Sequence, residues 1–358
     1  MNPTVRAGRP RPRPGRLRRG LIWGSIAMAA VLGLGACTNS SSPPKAASVA
    51  SATGSGSATG SGSAAPAFPV SVSGALGTAT IPVAPQRVVA LDWEDADVAL
   101  ALGVKPVAMQ LISSVPGGVG PWEQPLLGSV RPAMLNTDSG DPVDQVAALN
   151  PDLILATKDY HLAQSYGQLS KLAPVVSYKT GPNSDTWQDQ TRAVAKALGK
   201  QAEGEKLISS VDADITAAQK ANPQLADKTF TFIVSPTAGG VYAVNSTADV
   251  SAALLGQLGL KLAPGIQNTP ASHIPGRTEL SWEHVSQLDA DVLLATGAPS
   301  SLALLKTIPG FGQLPVVKKG GYVEMPFALA VAIAFPDPPS LQWALKQVVP
   351  LLDGAVKG

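Results

Sequence analysis

Few residues in this chain are equipped for covalent or metal chemistry. It has one cysteine, Cys37, and three histidines, His161, His273 and His284, with no HxxxH or HxH spacing among them. A lone cysteine leaves no intrachain disulfide or zinc cluster, and the histidines have no spacing that would direct them at one ion. There is no GxSxG elbow, no HExxH, no Walker loop and no GxGxxG placed after a strand, so nucleophilic and phosphoryl-transfer chemistry lack their scaffolds. What remains is a set of aromatic and cationic side chains at the ends of apolar runs: Trp93, Trp122, Lys158, Tyr160, Lys179, Tyr242 and Arg277. Rings form stiff apolar walls, and arginine can hold a carboxylate through two parallel hydrogen bonds. Such a set suits holding a small molecule rather than transforming it. Any one of these aromatics could equally cap a core, and either lysine could be plain surface charge.

Cys37 ends an apolar run, Leu21 to Gly35, which comes after a segment rich in arginine and free of acid. The run is shorter than the ~20 residues that cross a bilayer, and fits the core of an export signal over residues 1–36. Leu34-Gly35-Ala36-Cys37 resembles the bacterial lipobox, in which the cysteine becomes the lipid-bearing N-terminus. Arg18-Arg19 faintly resembles a twin-arginine signal, but the residues after the pair fit that pattern poorly. Residues 37–67 are Ser, Gly, Ala and Thr in the main, too polar to offset their ordering entropy, and read as a flexible tether. Removing the leader takes away seven of 27 Lys and Arg, leaving 20 against 25 Asp and Glu, a net charge of −5. The basic character belongs to the leader, and nucleic-acid binding is set aside.

The remaining residues must position the aromatic and cationic set. Strands are expected at Arg87–Leu91, Val107–Ile112, Leu153–Ala156 and Val175–Tyr178, alternating with helices over Ala96–Leu102, Val143–Leu149 and Gln164–Leu172. That alternation implies an α/β lobe over 68–200 with a buried parallel sheet. From Gln201 the apolar residues Ile208, Val211, Ile215 and Ala218 recur at helical spacing until Pro223, which predicts a helix over 201–222 about 30 Å long. A second alternating set fills 223–358, with strands at Phe230–Val234, Val241–Val244, Val292–Ala295 and Tyr322–Met325, and a last helix over Ser340–Leu352.

One phrase occurs twice. Val146 to Thr157 reads VAALNPDLILAT and Val285 to Thr296 reads VSQLDADVLLAT, with six of twelve residues identical at a constant offset. The simplest source is duplication of a helix-into-strand unit, once in each of two similar lobes. Asp144 and Glu283 precede the two copies at equivalent places. Open α/β sheets bind ligands beyond the carboxyl ends of their strands. The candidate residues mostly come just after such ends, with Arg277 expected in a loop ahead of the second copy.

The segment IPVAPQRVVALDWEDADVALALGVKPVAM (Ile81 to Met109), with LNPDLILAT and LDADVLLAT, resembles the ferric-siderophore solute-binding lipoproteins of ABC importers. The resemblance runs from Ile81 to Leu352 and extends to relatives that bind cobalamin or haem. It implies two Rossmann-like lobes joined by one rigid helix, with ligand in the cleft between them and only small closure. It implies no intrinsic cofactor, since iron would arrive wrapped in its chelator, with Arg277 the cation best placed for an anionic chelate. Were the ligand haem, Tyr160 or His161 would be candidates for axial contact. The resemblance also implies that Asp144 and Glu283 meet arginines of a permease dimer served by ATPase subunits. The first of these is Asp where the family usually has Glu. Ordinary placement of acids at helix starts is the alternative, and a sensing or scaffolding lipoprotein of the same fold is another.

Overall fold

The computed structural model describes residues 68–357 apart from Asn183. The leader, Cys37 and the tether lie outside the described residues. The first element is one that the apolar pattern does not announce, an antiparallel hairpin of β1 (Val70–Gly74) and β2 (Gly77–Ile81). It docks on the first lobe through the Ala75 N–H, which donates to the Tyr178 carbonyl at 2.8 Å. Gly74 permits that approach, because a Cβ there would stand 2.2 Å from Ser177 Oγ.

The first lobe is a five-stranded sheet of β3 (Val88–Ala90), β4 (Ala108–Gln110), β5 (Ala133–Leu135), β6 (Leu153–Ala156) and β7 (Val175–Ser177). Its order is β5-β4-β3-β6-β7 and every pairing is parallel. Side chains alternate across a strand, and here the alternation divides the core in two. Val88, Ala90, Leu153, Leu155 and Val176 face one cluster, while Val89, Leu91, Ile154, Ala156 and Val175 face the other. Burial on both faces is why these runs read as continuously apolar.

The second lobe contains β8 (Thr229–Val234), β9 (Gly240–Val244), β10 (Lys261–Leu262), β11 (Arg277–Ser281), β12 (Val292–Thr296) and β13 (Tyr322–Glu324). The order is β11-β9-β8-β12-β13, with β10 on the early residues of β8. This sheet is mixed. Only five residues, 235–239, separate β8 from β9, too few for a crossover, so β9 must run antiparallel. β11 then adds antiparallel to β9.

The duplicated phrase is a helix-into-strand unit in both lobes, though its helix is α-helical at Val143–Ala148 and 3-10 at Trp282–Leu288. The aspartate common to both copies has one job in each. Asp152 accepts the N–H groups of Gln86 and Arg87 at 2.7 and 2.8 Å. Asp291 accepts the N–H and hydroxyl of Thr229 at 2.8 and 2.9 Å. Each carboxylate thus ties the start of its own strand to the start of the central strand beside it.

Helix Gln201–Ala221 connects the lobes in sequence and buries Gly204, Ile208, Val211 and Ile215. Gly204 lets it approach helix Trp187–Ala197, since a Cβ there would lie 2.5 Å from the Ala195 Cβ. It does not brace the lobes alone. Helix Pro338–Lys357 packs along it and also against helix Trp93–Ala101 of the first lobe. Gln342 Nε2 donates to Asp214 Oδ2 at 2.8 Å.

Candidate functional site

The site grows from the start of helix Trp93–Ala101, which begins three residues earlier than its apolar spacing predicts. The cause is the carboxylate of Asp92, which accepts the Asp95 N–H at 2.7 Å and caps the helix. Its other oxygen accepts the Lys158 N–H at 3.0 Å. Asp95 accepts the Thr157 N–H and hydroxyl at 2.7 and 2.6 Å, and the Gln190 side-chain amide at 3.0 Å. Four acids within Asp92–Asp97 therefore include two that clamp the end of β6 to the first helix.

That clamp sets the floor of a cavity of about 240 Å³ beyond the carboxyl ends of β3, β4 and β6. Trp93, Lys158 and Tyr160 line it, brought together from the sequence-derived set, with Gln110 and Asp138 at its side. Phe335 enters from the second lobe and meets Trp93 edge to face, ring centres 5.4 Å apart. Tyr160 is exposed, whereas Lys158 is buried and its ammonium donates to the Asp185 carbonyl at 2.7 Å. Among the described residues the Trp93 Nε1 is buried without a partner.

Burial governs the acids here. It pushes the Glu94 carboxyl up to about 8, outweighing the nearby Lys158 charge that acts to lower it. Asp159 is also pushed up to about 8 by burial, then by the Asp141 charge. A second group lies between the lobes. Trp122 Nε1 donates to Asp97 Oδ2, and among the described residues Asp97 Oδ1 and Asp337 Oδ2 are buried without a partner. Burial raises Asp97 and carries Asp337 up to about 7 and Glu123 up to about 8.

The other members of the sequence-derived set lie elsewhere. Trp122 is 4% exposed and packs on Trp343 of the C-terminal helix, centres 5.4 Å apart, so it is an interlobe contact rather than a wall of this cavity. Lys179 belongs to a separate depression with Asp185. Tyr242 is half-buried on β9 with its ring edge to face with His273. Arg277 does not occupy a loop. It opens β11, paired with Val244, and its guanidinium lies 3.9 Å from the Asp249 carboxylate. An edge strand formed there because β9 left an open side.

Asp144 and Glu283 are both exposed and both second in their helices. Neither is the capping residue: Pro142 and Ser281 hold those places. Among the described residues neither carboxylate has a hydrogen-bond or ion-pair partner. Sequence reasoning missed Gln110, Thr137, Asp138 and Phe335 as cavity residues. Gln110 ends a strand and so carried a signal, but Phe335 comes after helix Phe327–Ala334, whose uniform apolarity reads only as core.

Comparison with known proteins agrees with this geometry. The family model described as periplasmic binding protein matches residues 88–329. The probable siderophore-binding lipoprotein YfiY of Bacillus subtilis is 31% identical over 196 residues, 53% of this chain and 57% of that relative's length. The Fe(3+)-citrate-binding protein YfmC of the same organism is 24% identical over 253 residues, 68% of this chain and 74% of its own. A periplasmic solute binding protein of Mycobacterium smegmatis superposes with a TM-score of 0.70 at 33% identity, over 80% of this chain and 98% of its own. PiaA of Streptococcus pneumoniae, solved in complex with ferrichrome, does so with a TM-score of 0.67 at 27% identity, over 80% and 99%. With a matching model across both sheets and the cleft-facing cavity between, this chain belongs to the periplasmic binding protein family.

Proposed function

We propose that this protein is the extracytoplasmic substrate-binding component of an ABC importer, which captures a ferric siderophore and delivers it to a permease. The observation that carries the reading is the cavity itself. It lies beyond the carboxyl ends of a parallel sheet, walled by Trp93 and Tyr160 and faced by Phe335 of the other lobe. The names of YfiY, YfmC and ferrichrome-bound PiaA support a ferric chelate as cargo. The protein supplies no resident cofactor in this reading; the chelator coordinates the iron, and the cleft only has to enclose the complex. Lipid on Cys37 would hold the protein at the outer face of the membrane, with the tether giving it reach. Asp144 and Glu283, at matching helix positions and without a partner among the described residues, would meet the permease dimer.

The test is a fluorescence titration of the full chain in detergent with ferric siderophores, haem and cobalamin. An iron chelate beside Trp93 should quench strongly and saturably. Saturable binding of haem or cobalamin alone would replace the siderophore with that ligand. A Cys37→Ala chain should leave the membrane fraction, and unchanged fractionation with no lipid mass on Cys37 would remove the anchor from the reading.

A further inference from the structure

The charges around the cavity do not match those of an anionic ligand. Four carboxyl groups line it, Asp92, Glu94, Asp138 and Asp159, against one lysine and one histidine. Burial holds Glu94 and Asp159 protonated at neutral pH, so the lining offers an anion no surplus of positive charge even with those two acids neutral. The lysine is committed, because the Lys158 ammonium donates to the Asp185 backbone carbonyl and its chain is buried. The arginine that the sequence offered as an anion grip, Arg277, opens an edge strand beside Asp249. Asp159 keeps one buried carboxyl oxygen without a partner among the described residues. Phe335 and Trp93 complete the walls with apolar surface.

A trianionic chelate entering such a site would shed part of its hydration. It would find no excess of cation in return, and burying charge without a partner is costly. A neutral chelate has no such cost, and a cationic one gains from Asp138 at the rim. From this we infer that the cavity accepts ferric chelates of zero or positive net charge, of the hydroxamate type, and rejects polyanionic catecholate and citrate complexes. The inference rests on the siderophore reading above and narrows it.

The deciding experiment is a fluorescence titration of the full chain with four probes at low salt and neutral pH. They are ferrioxamine B (cationic), ferrichrome (neutral), ferric citrate and a ferric tris-catecholate (both anionic). Ferrioxamine B and ferrichrome should bind at least about 100-fold more tightly than either anionic chelate, about 2.7 kcal/mol. Asp138→Asn should tighten the anionic chelates by roughly 3- to 10-fold and weaken ferrioxamine B. Anionic chelates binding as tightly as the others, or more so, would overturn the inference while leaving the importer reading in place. So would affinities in Asp138→Asn that match those of the wild type for every probe. Failure of all four to bind would overturn both.

Discussion

In the first lobe Asp152 takes two backbone N–H groups, and the central strand it serves, β3, is flanked by parallel neighbours on both sides. In the second, Asp291 takes one backbone N–H and a hydroxyl, with Lys228 3.6 Å away, while the central strand it serves, β8, is flanked on its far side by antiparallel β9. The same phrase thus sits in two settings. The first lobe ends its strands in acids, which clamp the helix and line the cavity. The second has Phe230 and Phe232 on its central strand, both essentially buried, and contributes one ring, Phe335, to the cavity. A repeated unit fixes how a strand is entered. What lies beyond its far end is free to diverge, and the ligand would be read there.

That comparison can be broken in four ways. The largest effect is expected where the lobes are most alike. On the proposed docking role, Asp144→Lys combined with Glu283→Lys would replace attraction with repulsion and should abolish uptake, with chelate affinity and Tm intact. Each exposed pair alone contributes only ~0.2–1 kcal/mol, so single neutral variants should transport nearly normally. Wild-type transport by the double reversal would leave these carboxylates as ordinary helix-start acids, and a fall in affinity would put them in the cleft.

Next come the aspartates of the phrase. Asp152→Ala strands two backbone donors and should cost about 2–3 kcal/mol, whereas Asp291→Ala strands one backbone donor and a rotatable hydroxyl and should cost about 1–2 kcal/mol. Urea unfolding of both variants measures the difference; equal costs would mean that the two settings are energetically the same.

The third concerns the acids between the lobes. Asp337 has a folded value of about 7 against an ordinary 3.8, so the folded state holds its proton more tightly. Its contribution to stability is complete below the ordinary value and is lost as pH rises through about 7. The wild type should therefore lose stability between pH 5 and pH 8, and Asp337→Asn should lessen that loss by on the order of 1 kcal/mol. An unchanged slope in urea midpoints would show that the proton is held elsewhere in the cluster.

The smallest effect is expected at Arg277. As the sequence-derived grip on an anionic chelate it would cost on the order of 2–3 kcal/mol when removed. Beside Asp249, Arg277→Ala should instead weaken chelate binding by less than about 3-fold. Arg192→Ala, an exposed side chain away from the cavity whose guanidinium is held by Glu205 at 2.8 Å, should change affinity not at all. A loss of 30-fold or more at Arg277, about 2 kcal/mol, would return it to the ligand.

Much of the fold was legible in the chain. Leu153–Ala156 came out of the sequence with both ends in place because a strand buried on both faces leaves four apolar residues between polar ones. The long helix was legible because Ile208, Val211 and Ile215 mark one face between a glycine-lysine stop and a proline. β5 was not, because Ala133 is exposed and the strand lies at a sheet edge. β11 was not, because nothing in the apolar run of β9 shows that its outer edge is left open. In the site, Trp93, Lys158 and Tyr160 were legible because each comes closely after a strand end.

By itself the sequence determined what local pattern can carry: the apolar periods, the mid-chain helix, the duplicated unit and the residues just past strand ends. Tertiary structure alone decided which of those residues face one another. Trp122 and Trp93 look alike in the chain, yet one packs on Trp343 between the lobes and the other walls the cavity. Lys158 reads as a free cation, yet its ammonium is taken by a carbonyl 27 residues on. The physical reason is that burial, and with it the charge and reach of a side chain, depends on neighbours distant in sequence, and no local pattern records them.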